Sequence, residues 1–564
     1  MIVSIKIHVV DVGPGWGWAC FDVSGVRVHL RGYLYDGSRT LKDEAAARRI
    51  VETVAYDQDD DALSLSIARL AGHFAFIVES EERTIASVDR IRTHPILFGV
   101  RDGVTLIDDR GRRLANRMGL GQSDIDQRQA VAVAMSGYTV GSGTLYEPIK
   151  ALRAGEALIQ DAKGSRTLRW YVYDAWRSAP LSNPDARLSE LHHFLIERLV
   201  KSADGRTIAV PLSAGLDSRF VASGLKAAGY GHVKLFSYGR RGNHEVETAK
   251  VIAERLGYPW TFVNFTDQSQ RALLTDPDHM RKIWGEADAC TSVPFHQDWI
   301  AVSRLRETGW LPEDTIVVNG NSGDFTSGAH APTGLMNEVS TRDNLGRRNL
   351  VLQHMLGKHF RLWESLATPS NDEVIASLLF DEAQAAGVTL GPGEELAGIH
   401  EFLEYQDRQS KYVVSGQKNY DGLGLDWRLP LWDDECIRFW CHVPMQLKRG
   451  QQLYRRVLEK DNWGGVWENI PVNEKTIRPR WIIPIRLAAK AAHAPLGQVK
   501  WHRFERRVFG WWMDPLRMSA VVPYSMTLAD ERGARHAISW LTERYLNQHG
   551  IDISIDGKVG CRHK

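Results

Sequence analysis

The run Ala209-Val-Pro-Leu-Ser213-Ala-Gly-Leu-Asp-Ser218-Arg219 reads as a buried strand, a turn of small residues and a helix that opens with an acid and a hydroxyl. Such a turn leaves backbone N–H groups pointing outward at the positive end of a helix, which suits a phosphate chain. Small residues let the anion approach the backbone, and Ser213 and Ser218 can add hydroxyl donors. The Asp217 carboxylate is the odd member, since it repels phosphate unless a Mg²⁺ ion lies between them. Two readings stand on these residues: a pyrophosphate grip with a metal on Asp217, or a capped helix with Asp217 in its first turn. A Walker loop is excluded, because no Lys follows the last glycine.

The wording Ser213-Ala-Gly-Leu-Asp-Ser218 resembles the SGGxDS loop of the N-type ATP pyrophosphatases, and the stretches C-terminal to it resemble the asparagine synthase (glutamine-hydrolysing) branch of that superfamily. Leu235-Phe-Ser-Tyr-Gly239 is similar to the strand whose end holds adenine and ribose, and residues 245–257 resemble the helix after it. Asn319-Gly-Asn-Ser-Gly-Asp324-Phe-Thr-Ser-Gly328 resembles the family's second glycine-rich acidic loop. Asp407-Arg-Gln-Ser410 and Asp426-Trp-Arg428-Leu-Pro430-Leu-Trp-Asp433 together resemble DRxS…ExRxPFLD. The four matches keep the family's order across residues 207–433.

The resemblance implies ATP bound by Leu212, Ser213, Ala214, Gly215, Leu216, Asp217, Ser218, Ser237, Tyr238, Gly239, Gly320, Ser322 and Gly323, with Mg²⁺ on Asp217 and Asp324. It implies a carbon–nitrogen ligase: a carboxylate attacks the α-phosphorus, pyrophosphate leaves, and nitrogen displaces AMP from the acyl-adenylate. In the family a Glu at the Asp426 position assists deprotonation of the amine; here the acid is one methylene shorter. The cation expected beside the adenylate has two rival candidates, Lys475 and Arg480.

Three earlier stretches, Arg69-Leu-Ala-Gly72-His-Phe-Ala-Phe76, Val88-Asp-Arg-Ile-Arg-Thr-His-Pro-Ile96 and Gly137-Tyr…Gly155, resemble the family's N-terminal glutaminase domain. Glutamine hydrolysis there uses a Cys at residue 2 whose own amine serves as base. This chain has Ile2, and Arg31-Gly32 stands where the family's oxyanion-hole Asn-Gly is expected. The resemblance therefore implies a degenerate glutaminase, with nitrogen supplied by free ammonia, a separate glutaminase or an amine on the substrate.

Periodicity supplies the scaffold for these residues. Up to about residue 173, short β-like runs alternate with Gly and Asp turns, with helices near 41–54 and 126–136. Ser, Pro, Asn and Asp cluster at 178–187, the chemistry of a linker. Beyond it strand and helix alternate: helix from Leu188 to Leu199, strand 207–212, helix 217–228, strand 233–238, helix 244–256, then strands 261–265 and 315–318. That order predicts a mostly parallel, doubly wound sheet. The expected fold is α/β: an Ntn-type α+β sandwich (1–177), a doubly wound ATP pyrophosphatase domain (186–483) and a helical C-terminal part (484–564). Residues 484–517 are basic and aromatic, either a solvated cationic face or a site for an anionic or lipid-linked substrate.

Over 564 residues, 70 Lys plus Arg balance 69 Asp plus Glu, which argues against a chain dominated by nucleic-acid binding. Five scattered cysteines without a CxxC pair suit a reducing cytoplasm, and no run approaches the roughly 18 apolar residues of a spanning helix. Ser237-Tyr-Gly-Arg-Arg-Gly-Asn243 with Glu245, and His296-Gln-Asp298-Trp299, resemble the branch found in O-antigen and capsule biosynthesis. They point to amidation of a uronic-acid carboxylate on a nucleotide-linked or lipid-linked sugar. Intramolecular closure, as in lasso-peptide cyclases or β-lactam synthetases, is the alternative, and a non-catalytic ATP-binding or scaffold protein is the alternative of another class.

Overall fold

Period-two patterning builds the first part of the chain. The structure, a computed structural model, describes residues 8–12, 16–54, 59–242, 244–336, 343–472, 479–514 and 518–562. Strands β1 (His8–Asp11), β2 (Ala19–Val23), β3 (Val26–Asp36), β4 (Arg39–Leu41), β5 (Ala71–Glu79), β6 (Thr84–Val88), β7 (Leu97–Arg101), β8 (Val104–Asp108), β9 (Ile149–Ala151), β10 (Glu156–Asp161) and β11 (Gly164–Arg169) form two sheets. One has the order β1-β8-β7-β9; the other runs β11-β10-β6-β5-β3-β2, with β4 paired to β3. Alternate residues of the larger sheet, Ala75, Ile77, Ala86, Val88 and Leu158, face Ile107 of the smaller one and Ile96 and Leu152 at the ends of its strands. The intervening residues, Phe74, Phe76, Val78, Ile85 and Ile159, pack under helices Asp43–Val54 and Asp60–Ala68. Leu97 and Ile149 of the smaller sheet pack under helix Gly111–Arg117. The result is helix, sheet, sheet, helix.

Helix Pro184–Ala203 then opens the second unit, with Pro in its first turn, so the linker composition at 178–187 runs into the helix it precedes. Strands β12 (Ile208–Pro211), β13 (Val233–Gly239), β14 (Trp260–Asn264), β15 (Ile316–Val318) and β16 (Asp426–Arg428) form one sheet in the order β14-β13-β12-β15-β16. Every pairing is parallel. Ile208, Val210, Leu235, Ile316 and Val318 enter one core, while Ala209, Phe236, Val263 and Val317 enter the other, so helices cover both faces. From β12 the chain moves outward to β13 and β14, then returns to β15 on the other side. The crevice at the carboxyl ends of β12 and β15 is thus a topological switch point, where open α/β sheets bind ligands.

Buried ion pairs lock the two units together. Arg90 pairs with Asp434 at 2.7 Å and Arg153 with Glu382 at 2.7 Å, while Arg198, paired with Asp433 inside the second unit, reaches across to donate to the Gly37 carbonyl at 2.6 Å. Asp407 accepts from the Gly141 N–H at 2.8 Å and pairs with Lys411, whose ammonium caps the Thr139 and Gly141 carbonyls. The 407–410 and 426–433 stretches therefore serve largely as interface. The C-terminal part is not only helical: strands β17 (Ile551–Ile553) and β18 (Val559–Cys561) follow helix Ala537–Gln548. Buried Asp288 fastens that helix to the first unit, accepting from Tyr545 at 2.9 Å and Arg112 at 3.0 Å, with His549 at 3.2 Å.

Arg90 also donates to the Leu70 and Ala68 carbonyls, and Asp434 accepts the Gly72 N–H at 2.6 Å. Removing one partner of such a pair leaves a buried charge uncompensated, at about 3–5 kcal/mol. Arg90→Met should accordingly lower the thermal midpoint by several degrees, read by differential scanning calorimetry; an unchanged midpoint would remove the pair from the interface's stability.

Candidate active site

The chain leaves β12 with Leu212 donating to the Phe236 carbonyl at 2.8 Å, and Ser237 Oγ returns a bond to the Leu212 carbonyl at 2.7 Å. The end of β13 is thereby tied to the loop that follows β12. In that loop Ser213 N–H donates to Ser218 Oγ at 3.0 Å, and Gly215 N–H donates to Ser213 Oγ at 3.1 Å. Helix Leu216–Ala227 starts at Gly215 with no side-chain cap, so its first turn presents N–H groups to the crevice end of the sheet. Arg219, buried, donates to the Ala214 carbonyl at 2.9 Å and to the Pro471 carbonyl at 3.0 Å, which pins the loop from beneath.

The turn after β15 packs directly on this loop. A Cβ at Gly320 would stand 2.6 Å from the Asp217 carbonyl carbon, and one at Gly323 would stand 2.6 Å from both Asp217 Oδ1 and Leu431 Cδ1. Only glycine allows that approach, and its product is the meeting of two acids: Asp324 N–H donates to Asp217 Oδ2 at 2.8 Å. Asp217 Oδ1 is buried without a hydrogen-bond partner. Burial, then the nearby charge of Asp324, pushes the Asp217 carboxyl well above its ordinary value. Asp324 has a side chain 51% exposed; partial burial opposes its charge, but His330 holds it below the ordinary carboxylate range.

Behind Asp324 lies a buried carboxylate that no sequence motif marks. Glu404 is fully buried and faces four basic side chains: His330 at 2.5 Å, His359 at 3.0 Å, Lys358 at 3.1 Å and Arg408 at 3.1 Å. His330 bridges it to Asp324, with Nε2 3.2 Å from Asp324 Oδ2. Gln409 bridges it to the glycine turn, donating to Glu404 at 3.0 Å and accepting from Ser322 Oγ at 3.1 Å. Although burial works against both ions, the Glu404 and Asp324 charges raise His330 to about 9, while His330 and His359 hold Glu404 well below the usual range. The hub sits where helix Leu396–Glu404 widens into the π-helical turn Tyr405–Val413, an irregularity common at functional sites. Its one sequence signal is a string of charges, His400, Glu401 and Glu404, inside an apolar helical run.

Residues 196–460 match the asparagine synthase family model. Both loops, the end of β13 and the Glu404 hub lie inside the matched segment, whereas the first sandwich lies outside it. No curated protein matches the chain. Among solved structures, the allosteric regulatory enzyme of purine biosynthesis is 14% identical, with a TM-score of 0.19, over 43% of this chain and 46% of that one. The glutamine phosphoribosylpyrophosphate amidotransferase from B. subtilis complexed with ADP and GMP is 13% identical, with a TM-score of 0.18, over 54% and 63%. The chain thus spans less than two thirds of either, and at these scores neither likeness bears on the site.

Within the segment the structure gathers Leu212 to Ser218, Ser237 to Gly239, Gly320, Ser322, Gly323 and Asp324 at one crevice. Tyr238 stacks on Phe265 at 4.9 Å and donates to half-buried Asp298, which also accepts from Tyr420. Asp426 is a correction. In parallel register it stands opposite Ile316, at the amino end of β15, whereas both loops leave carboxyl ends. There it pairs with Lys42 at 2.9 Å and Arg206 at 3.0 Å, so it is an interface acid at the far edge of the sheet. Arg480 is exposed at the start of the C-terminal hairpin and touches neither loop among the described residues; Lys475 and Ile2 lie outside the described residues. Gly32, with φ of +94°, sits so that a Cβ would be 2.1 Å from the His73 carbonyl oxygen, and Arg31 pairs with Asp421 at 2.5 Å.

Two substitutions test this geometry. Gly320→Ala should destabilise by about 1–3 kcal/mol through overpacking against the Asp217 backbone, measured by thermal denaturation; a neutral result would show that the loops can part freely. Burial opposes the Asp426 charge, yet Lys42 and Arg206 bring its carboxyl to about 2 from 3.8. Its contribution is full above the unfolded value and lost as pH falls through about 2. Given solvent screening it amounts to about 1 kcal/mol or less, so Asp426→Asn should lower the midpoint slightly at pH 7 and converge with the parent in acid.

Proposed function

We propose that the chain is an ATP-dependent amide-forming ligase that adenylates a carboxylate at the crevice between β12 and β15. The observation that carries this reading is the pair Asp217 and Asp324, forced together by Gly320 and Gly323 at a switch point. Like charges at this distance need a proton or a cation between them. The raised Asp217 carboxyl, its unpartnered buried oxygen and the exposed Asp324 fit a hard divalent cation, for which oxygen donors are the chemistry required. Asp217 and Asp324 would hold Mg²⁺, which supplies charge neutralisation for the departing pyrophosphate.

The residues divide the remaining work. Ser213 and Ser218, with the N–H groups at the start of helix Leu216–Ala227, bind the pyrophosphate part of ATP. Ser237 to Gly239 line the nucleoside side, and the Asp298 network fixes the Tyr238 ring. His330, Lys358 and Arg408, gathered on Glu404, leave positive charge beside Asp324 that suits an acceptor carboxylate. Attack of that carboxylate on the α-phosphorus releases pyrophosphate, and an amine then displaces AMP to give the amide. Arg31, paired with Asp421 where the family's oxyanion-hole Asn is expected, supports a nitrogen source other than glutamine hydrolysis by this chain, and the 237–245 and 296–299 wording favours a sugar uronic acid as acceptor, in polysaccharide assembly.

Pyrophosphate release from MgATP with uronic acids as acceptors is the direct assay. Asp217→Asn and Asp324→Asn should each lower it on the order of a thousandfold while the thermal midpoint is kept; undiminished turnover would sink the assignment. Ammonium should support product formation and glutamine should not. Glutamate released in step with amide would overturn the inactive-glutaminase reading.

A further inference from the structure

Helices Ile482–His493 and Gln498–Met513 form a hairpin with a small core of its own, Ile482, Trp501 and Phe509, separate from the cores of the body. The first helix turns only Ile482 fully inward. Its outer side is apolar and exposed: Trp481 is 53% accessible, Ile485 53%, Leu487 56% and Leu496 52%. Of the eleven large hydrophobics exposed among the described residues, these four fall within sixteen positions, with exposed alanines at 488, 491, 492 and 494 between them. The other seven are spread over the rest of the chain. A contiguous apolar face rimmed by charge marks an interaction surface, whereas single exposed residues do not.

Charge identifies the occupant. Residues 479–514 contain seven Lys or Arg against two Asp or Glu, in a chain whose net charge is +1. Glu505 is paired with Arg486, and Arg503 and Arg506 pair with Glu364 of the body. Arg480, Lys490 and Lys500 are exposed on the same hairpin and have no carboxylate partner among the described residues. At 12 residues the first helix is about 18 Å long, too short to cross a bilayer but suited to lie in its interface. No described helix is long and apolar enough to cross a membrane.

We propose that this hairpin docks the protein flat on an anionic phospholipid bilayer, with Trp481, Ile485, Leu487 and Leu496 entering the acyl boundary and Arg480, Lys490 and Lys500 meeting the headgroups. A second copy of the chain would be a poorer occupant, since two such faces bring like charges together. The hairpin follows shortly after Pro471, whose carbonyl shares Arg219 with Ala214 of the pyrophosphate loop. On the ligase reading, a lipid-linked acceptor would then arrive beside the loop; the docking itself does not depend on that reading.

Flotation of the full chain with phosphatidylcholine vesicles, and with vesicles of phosphatidylcholine and phosphatidylglycerol, tests it. The chain should float with the anionic vesicles, less so at high salt. Leu487→Glu with Ile485→Glu should reduce the bound fraction on the order of tenfold or more, and Lys490→Glu with Lys500→Glu should abolish the preference for phosphatidylglycerol. These positions are exposed, so thermal midpoints and pyrophosphate release in vesicle-free buffer should hold. Absence of binding to anionic vesicles, or full binding by the glutamate variants, would overturn the proposal. So would a dimer in sedimentation velocity that Leu487→Glu dissociates without any vesicle binding.

Discussion

Two glycines decide how near the loops after β12 and β15 can come. Gly320 and Gly323 lie against the Asp217 backbone and side chain with no room for a methyl group, and Asp324 is carried into hydrogen-bond contact as a result. The close approach is costly in isolation, because it sets two carboxylates together and leaves one oxygen buried without a partner. Much of the surrounding structure compensates. The sheet supplies a switch point, Arg219 anchors one loop, and the Glu404 hub steadies the other through His330 and Gln409.

The same hub reaches the other way. The π-helical turn Tyr405–Val413 begins beside Glu404 and also carries Asp407 and Lys411, which bond the backbone of residues 139–141 in the first sandwich. Few residues therefore separate the crevice from the domain interface. Arg90 and Arg153 extend that interface with ion pairs, Arg198 adds a bond to the Gly37 carbonyl, and Asp288 closes it from the C-terminal side.

Periodicity made the order of strands and helices legible, because each β12–β15 strand is a short apolar run bounded by a turn, and helix His244–Leu256 repeats its buried residues on one face. The first loop was legible from small residues next to an acid, and the second from its resemblance to a family's glycine-rich acidic loop. Which end of a strand a residue occupies is not written locally: Asp426 has the residue type and motif for chemistry, but its register against Ile316 puts it at the wrong edge. Glu404 was hidden for a related reason. Its partner His330 is 74 positions away, and no spacing rule links a carboxylate in an apolar helix to a histidine at that distance.

A domain that packs against a neighbour is not equally free to change at every position. Here the backbone at residues 139–141 is a seat for the turn that follows Glu404. Drift in that region would be felt at the crevice through a few bonded neighbours, so the sandwich serves as masonry for the unit beside it. Its surface loops can diverge freely, while the carbonyls and glycines facing Lys411 and Asp407 are constrained by the geometry of the turn they hold.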